Sequence, residues 1–239
     1  MINESKKFEL HINVKKTKLM KVNVKNERSV IINEQQLEQV DKFTYLGSVI
    51  TKDGGAENDI RTRIGKASTA FKSLSNVWKS KNLRTETKIR LFNTNVKSVL
   101  LYGAETWKHN RPLVSKLQSF INRCLRRILR IYWPQTISNE ELWKTTNQEP
   151  IETTIRRRTW RWIGHTLRKK ESDITRQALE WNPQGSRKRG RPRETWRRSV
   201  HRDLERMGWT WDTVKRDAKN RTRWRSLAED LCSQRNGKG

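Results

Sequence analysis

Up to Gly55 the apolar positions of this chain alternate with polar ones, and beyond it they recur every third or fourth residue. Met20, Val22 and Val24 are each separated by one polar residue, the period-two pattern of a half-buried strand. Val30 to Ile32 is β-branched, and Asn33-Glu34 offers a turn toward Leu37. Phe43 to Thr51 (FTYLGSVIT) reads as a further strand, closed by the turn signal Asp53-Gly54-Gly55. A small antiparallel sheet is expected here.

From Ala56 onward the period is helical. Ile60, Ile64, Ala67, Phe71, Leu74 and Trp78 share one helix face, and Ile89, Phe92, Val96 and Val99 share another. Gly103 is placed to end the second helix in a left-handed cap. Leu113, Leu117, Phe120, Cys124, Ile128 and Ile131 form a third stripe, stopped by Trp133-Pro134. Ser138 with Glu141 has capping-box spacing. Pro150 then opens a helix bearing Ile151, Ile155, Trp162 and Ile163. Residues 171–191 read as a linker, with Asn182-Pro183, Gly185 and the run Arg187-Lys188-Arg189-Gly190-Arg191. Pro192 suits the first turn of a helix carrying Trp196, Val200, Leu204 and Met207, which Gly208 ends. Thr210 can cap a short piece around Val214, and Trp224, Leu227, Ala228 and Leu231 make the last stripe. The expected fold class is α+β and predominantly α, with strands first and helices after.

Charge changes the picture most. Lys and Arg number 53 against 25 Asp and Glu, a net charge of +28 that a free soluble protein feels as self-repulsion. A polyanion relieves that repulsion, and nucleic acid does so with counterion release. Residues 151–239 hold 25 basic and 11 acidic residues, a denser positive charge than the first 150 carry. Apolar residues make up only 33% of the chain, so the eleven tryptophans must supply much of any core. No apolar run approaches the about 18–20 residues of a membrane span, and the polar start Met1–Phe8 has no signal-peptide character. Cys124 and Cys232 alone give no disulfide framework. A nuclear or cytoplasmic, non-secreted protein is expected.

Basic and aromatic residues interleave at Trp107-Lys108, at Arg156, Arg157, Arg158, Trp160 and Arg161 (RRRTWRW), at Trp196-Arg197-Arg198, and at Arg221, Arg223 and Arg225 (RTRWR). Such a pattern suits guanidinium groups on phosphates with rings stacked on bases. It equally suits core tryptophans whose flanking arginines reach solvent. Trp160 and Trp211 lie off the clearest stripes and are the rings expected to be exposed. The stretch Arg187, Lys188, Arg189, Gly190, Arg191 and Arg193 has the form of a minor-groove hook, of a flexible basic linker, or of a nuclear-import signal. Histidines and cysteines show no metal-ligand spacing. Polymerase chemistry needs paired carboxylates holding metal ions, and no Tyr-x-Asp-Asp occurs. Asp53, Asp59, Asp173, Asp203, Asp212, Asp217 and Asp230 stand apart. From these residues alone the chain is not a complete enzyme.

Further segments carry a family likeness: His11-Ile12-Asn13 to Lys18, Phe43 to Gly47 (FTYLG), Ser98 to Trp107 (SVLLYGAETW), Ile121 to Ile128 (INRCLRRI) and Thr136 to Glu141. Thr146 to Ile151 (TNQEPI), Trp162 to Lys169 (WIGHTLRK), Gln177 to Gln184 (QALEWNPQ) and Lys188 to Thr195 (KRGRPRET) continue it. In this order they resemble the C-terminal part of the reverse transcriptase of RTE-type non-LTR (LINE-like) retrotransposons, over essentially the whole chain. The resemblance implies the end of a polymerase palm over residues 1–55, a helical thumb over 56–133, a helical connection over 134–170, a basic linker over 171–191 and a basic helical C-terminal region over 192–239. It places Lys16 and Lys18 near an incoming nucleotide. It makes Phe43, Tyr45, Leu46 and Gly47 the primer-grip hairpin, with Phe43 and Tyr45 locking it from one face. The family's endonuclease and catalytic aspartate strand precede these residues, so Met1 is expected to be an internal start in a truncated copy or partial gene. The Mg²⁺ of the parent polymerase would then have no ligands in this chain, and no cofactor is expected. The expected partners are template–primer RNA or DNA and target DNA. The competing readings are a domesticated stand-alone nucleic-acid-binding protein and an inert relic.

Overall fold

Strands come first and helices follow, as the change of period predicts, giving a predominantly helical α+β chain. The computed structural model describes residues 7, 9, 11–22, 29–32, 34–52, 55–108, 110–181 and 195–233. Two units divide it, Met1–Thr62 and Arg63–Gly239.

In the first unit, β1 (Lys18–Leu19) pairs with β4 (Glu38–Gln39), and β2 (Ile31–Ile32) pairs with β3 (Gln35–Gln36). The third pair is β5 (Lys42–Tyr45) with β6 (Ser48–Thr51). The expected single antiparallel sheet is instead three two-stranded pieces, and the β1–β4 pair is parallel. The first four strands are two residues long, too short to carry a continuous ladder. Met20 and Val22 lie outside any strand, whereas Val24, Asn33 and the Asp53-Gly54 turn signal are outside the described residues. Phe43 to Thr51 is not one strand either. It folds back at Leu46-Gly47, where both residues have positive φ (47° and 82°). Two successive positive φ values make the turn whose twist matches that of a hairpin's strands. The Val49 N–H donates to the Asp59 carboxylate at 2.9 Å, anchoring β6 to the first turn of α1 (Glu57–Ser73).

The stripe that predicted one helix to Trp78 breaks at Leu74, and a short α2 (Ser75–Lys79) carries the tryptophan. Its indole donates to the Phe71 carbonyl at 2.7 Å and its ring stacks on Phe71 at 5.0 Å. Next, α3 (Thr85–Phe92) runs through a π-helical turn, Asn93–Lys97, into Ser98–Leu100. A π-turn inserts an extra residue and moves the apolar face on by one position. Ile89, Phe92 and Val96 are accordingly buried as expected, but Leu100 is buried in place of Val99. Gly103, at φ 76°, closes the segment as predicted.

The remaining helices are α4 (Arg111–Ile128), α5 (Asn139–Thr145), α6 (Ile151–Leu167), α7 (Ile174–Glu180), α8 (Trp196–Arg206), α9 (Trp211–Ala218) and α10 (Arg221–Ser233). Helix α7 occupies part of the segment expected to be a linker, opened by Asp173 accepting from the Thr175 N–H. Ser138 caps α5 as its spacing predicts, and Thr210 caps α9. Thr195 caps α8, whose first helical residue is Trp196; Pro192 lies outside the described residues. Three helices end alike, with Arg130, Asn147 and Gly208 at φ 60°, 48° and 64°. In each, the next residue's N–H reaches back five positions, as Ile131 does to Arg126 and Trp209 to Leu204. This is the double-bonded left-handed stop that satisfies the last carbonyls of a helix.

Helix α6 is the centre of the second unit. Trp160, Ile163 and Leu167 on it pack into a core with Leu179, Val200, Leu204, Val214, Ala218, Trp224 and Ala228. The Trp224 indole donates to the Trp160 carbonyl at 3.0 Å, with ring centroids 6.1 Å apart. Gly164 makes this possible, since a Cβ there would stand 1.9 Å from Trp224 Nε1. No helix among the described residues is long and apolar enough to cross a membrane. Gly164→Ala is expected to destabilise the protein by at least the ~1–3 kcal/mol of an overpacked core. A lowered urea midpoint checks this, and an unchanged midpoint contradicts it.

Candidate nucleic-acid interface

The RRRTWRW stretch lies on α6, and its structure corrects the expectation that the Trp160 ring is exposed. Trp160 is fully buried rather than exposed. The helix packs on several sides, so a residue off its first stripe lands on a second. Arg156 is also buried, and its guanidinium donates to Asp203 at 2.8 Å. Arg157 bonds both oxygens of Glu149 and also Glu229, the latter at 2.6 Å. Arg158 reaches Glu105 and the Leu101 carbonyl, at 3.3 and 3.2 Å. Arg161 pairs with Glu229 at 2.8 Å. These four arginines tie α6 to neighbouring elements, Arg156 from the interior and Arg161 from a largely exposed position.

Burial by itself would raise the Glu149 carboxyl. The hydrogen bonds from Arg157 and Thr154 and the charges of Arg157 and Lys97 outweigh that and hold it below the ordinary carboxylate range. Burial lowers Lys97, with Glu149 opposing and Arg158 and Arg157 adding to the shift. The same cluster keeps Arg157 firmly protonated, chiefly through its hydrogen bond to Glu149.

In the C-terminal helices, Arg197 donates to the Leu179 and Trp181 carbonyls, at 2.7 Å each, and so holds the end of α7. Arg198 is exposed. Arg223 is largely exposed and lies 3.4 Å from the buried Asp217 carboxylate. Arg221 and Arg225 are exposed on α10, around the buried Trp224. Trp211 is half-buried against the α6 core, so neither ring expected to be exposed projects freely. Arg187, Lys188, Arg189, Gly190, Arg191 and Arg193 lie outside the described residues.

In the first unit, Lys16 is exposed and Lys18 is ion-paired with Glu38 across the β1–β4 pair. The hairpin holds Phe43, Tyr45, Leu46 and Gly47 together around one turn. Phe43, Tyr45 and Ile50 are exposed, and Leu46 at the tip is 73% exposed. Phe43 stands opposite Ile50, and Tyr45 lies two residues along the same strand, so all three share a face. Phe43 and Tyr45 thus lie on one face of the hairpin, and that face is open.

One groove escaped sequence reasoning. Phe71, Lys72, Ser75, Trp78, Lys79, Arg127, Arg130 and Tyr132 line a depression of about 610 Å³ between α1, α2 and the end of α4. Tyr132 is 59% exposed and Trp133 beside it 88%. The available signal was an aromatic pair just past the last apolar position of its helix.

Among the described residues no group of three His, Cys, Asp or Glu converges as metal ligands. Burial pushes the Cys124 and Cys232 thiols up to about 12 and about 11, which leaves neither as a nucleophile near neutrality.

A family model described as a domain of unknown function, DUF6451, matches residues 70–102. The chain is 26% identical over 247 residues to a Caenorhabditis elegans protein named as an uncharacterized transposon-derived protein, covering 96% of this chain and 83% of the relative. That end-to-end likeness supports a transposon-related origin. No solved structure matches.

The pH behaviour of the α6 clamp follows from the depressed Glu149. A carboxylate held low in the folded state stabilises above its unfolded pKa and ceases to as pH falls through the folded one. Glu149→Gln is expected to lower stability by roughly 1–2 kcal/mol at pH 7. The gap to wild type should begin to narrow as pH falls past the ordinary glutamate value of about 4.3 and close only once pH is below the lowered folded-state value. Melting temperatures across pH 7 to 3 check this; a gap independent of pH contradicts it.

Proposed function

We propose that this chain is the nucleic-acid-binding C-terminal part of a retrotransposon reverse transcriptase. It holds template–primer, and target DNA or element RNA, by the sugar–phosphate backbone without joining nucleotides. The observation that carries the reading is the distribution of its +28 charge. Glu105, Glu149, Asp203 and Glu229 are engaged with the arginines of α6. Exposed cations such as Lys72, Lys79, Arg127, Arg221 and Arg225 face solvent without a carboxylate partner among the described residues. A surface of that kind is relieved by phosphates.

The transposon-derived relative and the order of retrotransposon-like segments support the same origin. The open aromatic face of the β5–β6 hairpin is consistent with a primer grip. Gly47 allows a strand to approach the turn closely, having no side chain in the way. The isolation of the carboxylates supports binding without catalysis.

With six to ten phosphate contacts, affinity for a duplex should fall about 10³–10⁵-fold between 50 and 200 mM salt. Filter binding over that range measures it, and a flat response would count against the proposal. Purified protein given primer, template and Mg²⁺ should incorporate no nucleotide. Primer extension on a sequencing gel would show that the carboxylate argument is wrong.

A further inference from the structure

The groove between α1, α2 and the end of α4 combines exposed cations with exposed rings, Tyr132 and Trp133. Around α6 the arginines meet carboxylates or carbonyls, and the exposed Arg221 and Arg225 of α10 flank a buried tryptophan with no exposed ring beside it. Here Lys72, Lys79, Arg127 and Arg130 line one depression with no acidic residue among its walls. Among the described residues Lys72, Lys79 and Arg127 make no ion pair, and Arg130 has one guanidinium nitrogen on the Lys79 carbonyl.

The floor is aromatic. Phe71 and Trp78 are stacked at 5.0 Å and present only a sliver of surface, each about 5% exposed. The Trp78 indole N–H is committed to the Phe71 carbonyl, so this floor is apolar and fixed. Lys88, buried under the same turn, donates to the Trp78 and Ser80 carbonyls at 3.2 and 2.6 Å and holds α2 in place. At the rim the chain turns sharply at Arg130, with φ 60°, and sets out Tyr132 and Trp133.

The volume, about 610 Å³, falls within the ~300–1,000 Å³ of sites that enclose small organic groups. Cations without counter-charges select an anion. Exposed rings beside them select a flat π-face. A nucleotide with its base unpaired supplies both, whereas the bases of a duplex are already stacked on each other and closed to a ring from outside.

Resting on the nucleic-acid reading above, we propose that this groove seats an unpaired nucleotide of a single strand. Its base stacks on Tyr132, with Trp133 taking a neighbouring base. Its phosphates lie among Lys72, Lys79 and Arg127. The chain thereby grips single-stranded RNA or DNA at a place separate from any duplex it holds.

The test uses the full chain and a twelve-nucleotide single strand carrying 2-aminopurine, with the matched blunt duplex as control. Tyr132 and Trp133 are exposed, so their replacement leaves the fold intact, as circular dichroism would verify. Tyr132→Ala should weaken single-strand binding about 5- to 150-fold, the worth of one stacked base, and diminish the 2-aminopurine quenching. Duplex affinity should change less than twofold. Tyr132→Phe, which keeps the ring, should bind as wild type does. Lys79→Gln with Arg127→Gln should reduce the single-strand salt slope by about 1.4, two contacts' worth. Unchanged single-strand affinity in Tyr132→Ala, or equal losses for strand and duplex, overturns the inference and leaves the nucleic-acid reading standing. Wild-type protein that binds neither probe overturns both.

Discussion

Helix α6 lies at the centre of a strongly basic unit because carboxylates come to meet its arginines. Buried charge is tolerated only when paired and hydrogen-bonded. Arg156 has Asp203, Arg157 has Glu149 and Glu229, and Arg158 has Glu105. These partners come from α8, from the turn before α6, from α10 and from the 3₁₀ turn Ala104–Thr106. Helices α8 and α10, which close the core around Trp160 and Trp224, are thus also tied electrostatically to the same helix. The sequence distance between partners, from eight residues for Glu149 to seventy-two for Glu229, makes these ties tertiary rather than local.

An acid-poor chain that commits carboxylates inside has fewer to place outside. Positive charge then accumulates wherever the fold does not require a partner. The groove floored by Phe71 and Trp78 is such a place, and the exposed face of α10 is another. The same division governs the tryptophans. Trp78, Trp107, Trp160 and Trp224 are buried and fix helices to one another, whereas Trp133 and Trp181 stand in solvent. Basic charge and exposed rings coincide at the end of α4, where helix geometry forces the chain to reverse at Arg130.

Much of this was legible in the residues. The switch of period at Gly55, the caps at Ser138 and Thr210, and the stops at Gly103 and Gly208 are short-range signals, and the structure follows them. What failed was long-range. The π-turn at Asn93–Lys97 moved burial from Val99 to Leu100, which periodicity assumes cannot happen. Trp160 looked peripheral because its partner Trp224 lies sixty-four residues on. RRRTWRW read as a phosphate-binding run because local sequence does not display the distant carboxylates that neutralise it. Periodicity runs straight through the hairpin at Leu46-Gly47, which only the family resemblance implied, because a leucine rarely takes the left-handed conformation that the first turn residue needs.

The exposed Leu46 bears on function more than on folding. Asparagine would occupy its backbone conformation with less strain, and a polar tip would suit a hairpin that met only water. Leucine at 73% exposure, next to Tyr45 and on a turn whose second residue is glycine, fails on both counts as a purely structural choice. An open apolar tip beside an open aromatic strand is costly in water and favourable against a partner. The same reasoning applies to Tyr132 and Trp133 in the helical unit. Each unit therefore has a site where apolar or aromatic surface is left uncovered, in a protein with little apolar material to spare. Their presence in a polycationic chain argues for a ligand that is anionic along its length and flat at intervals.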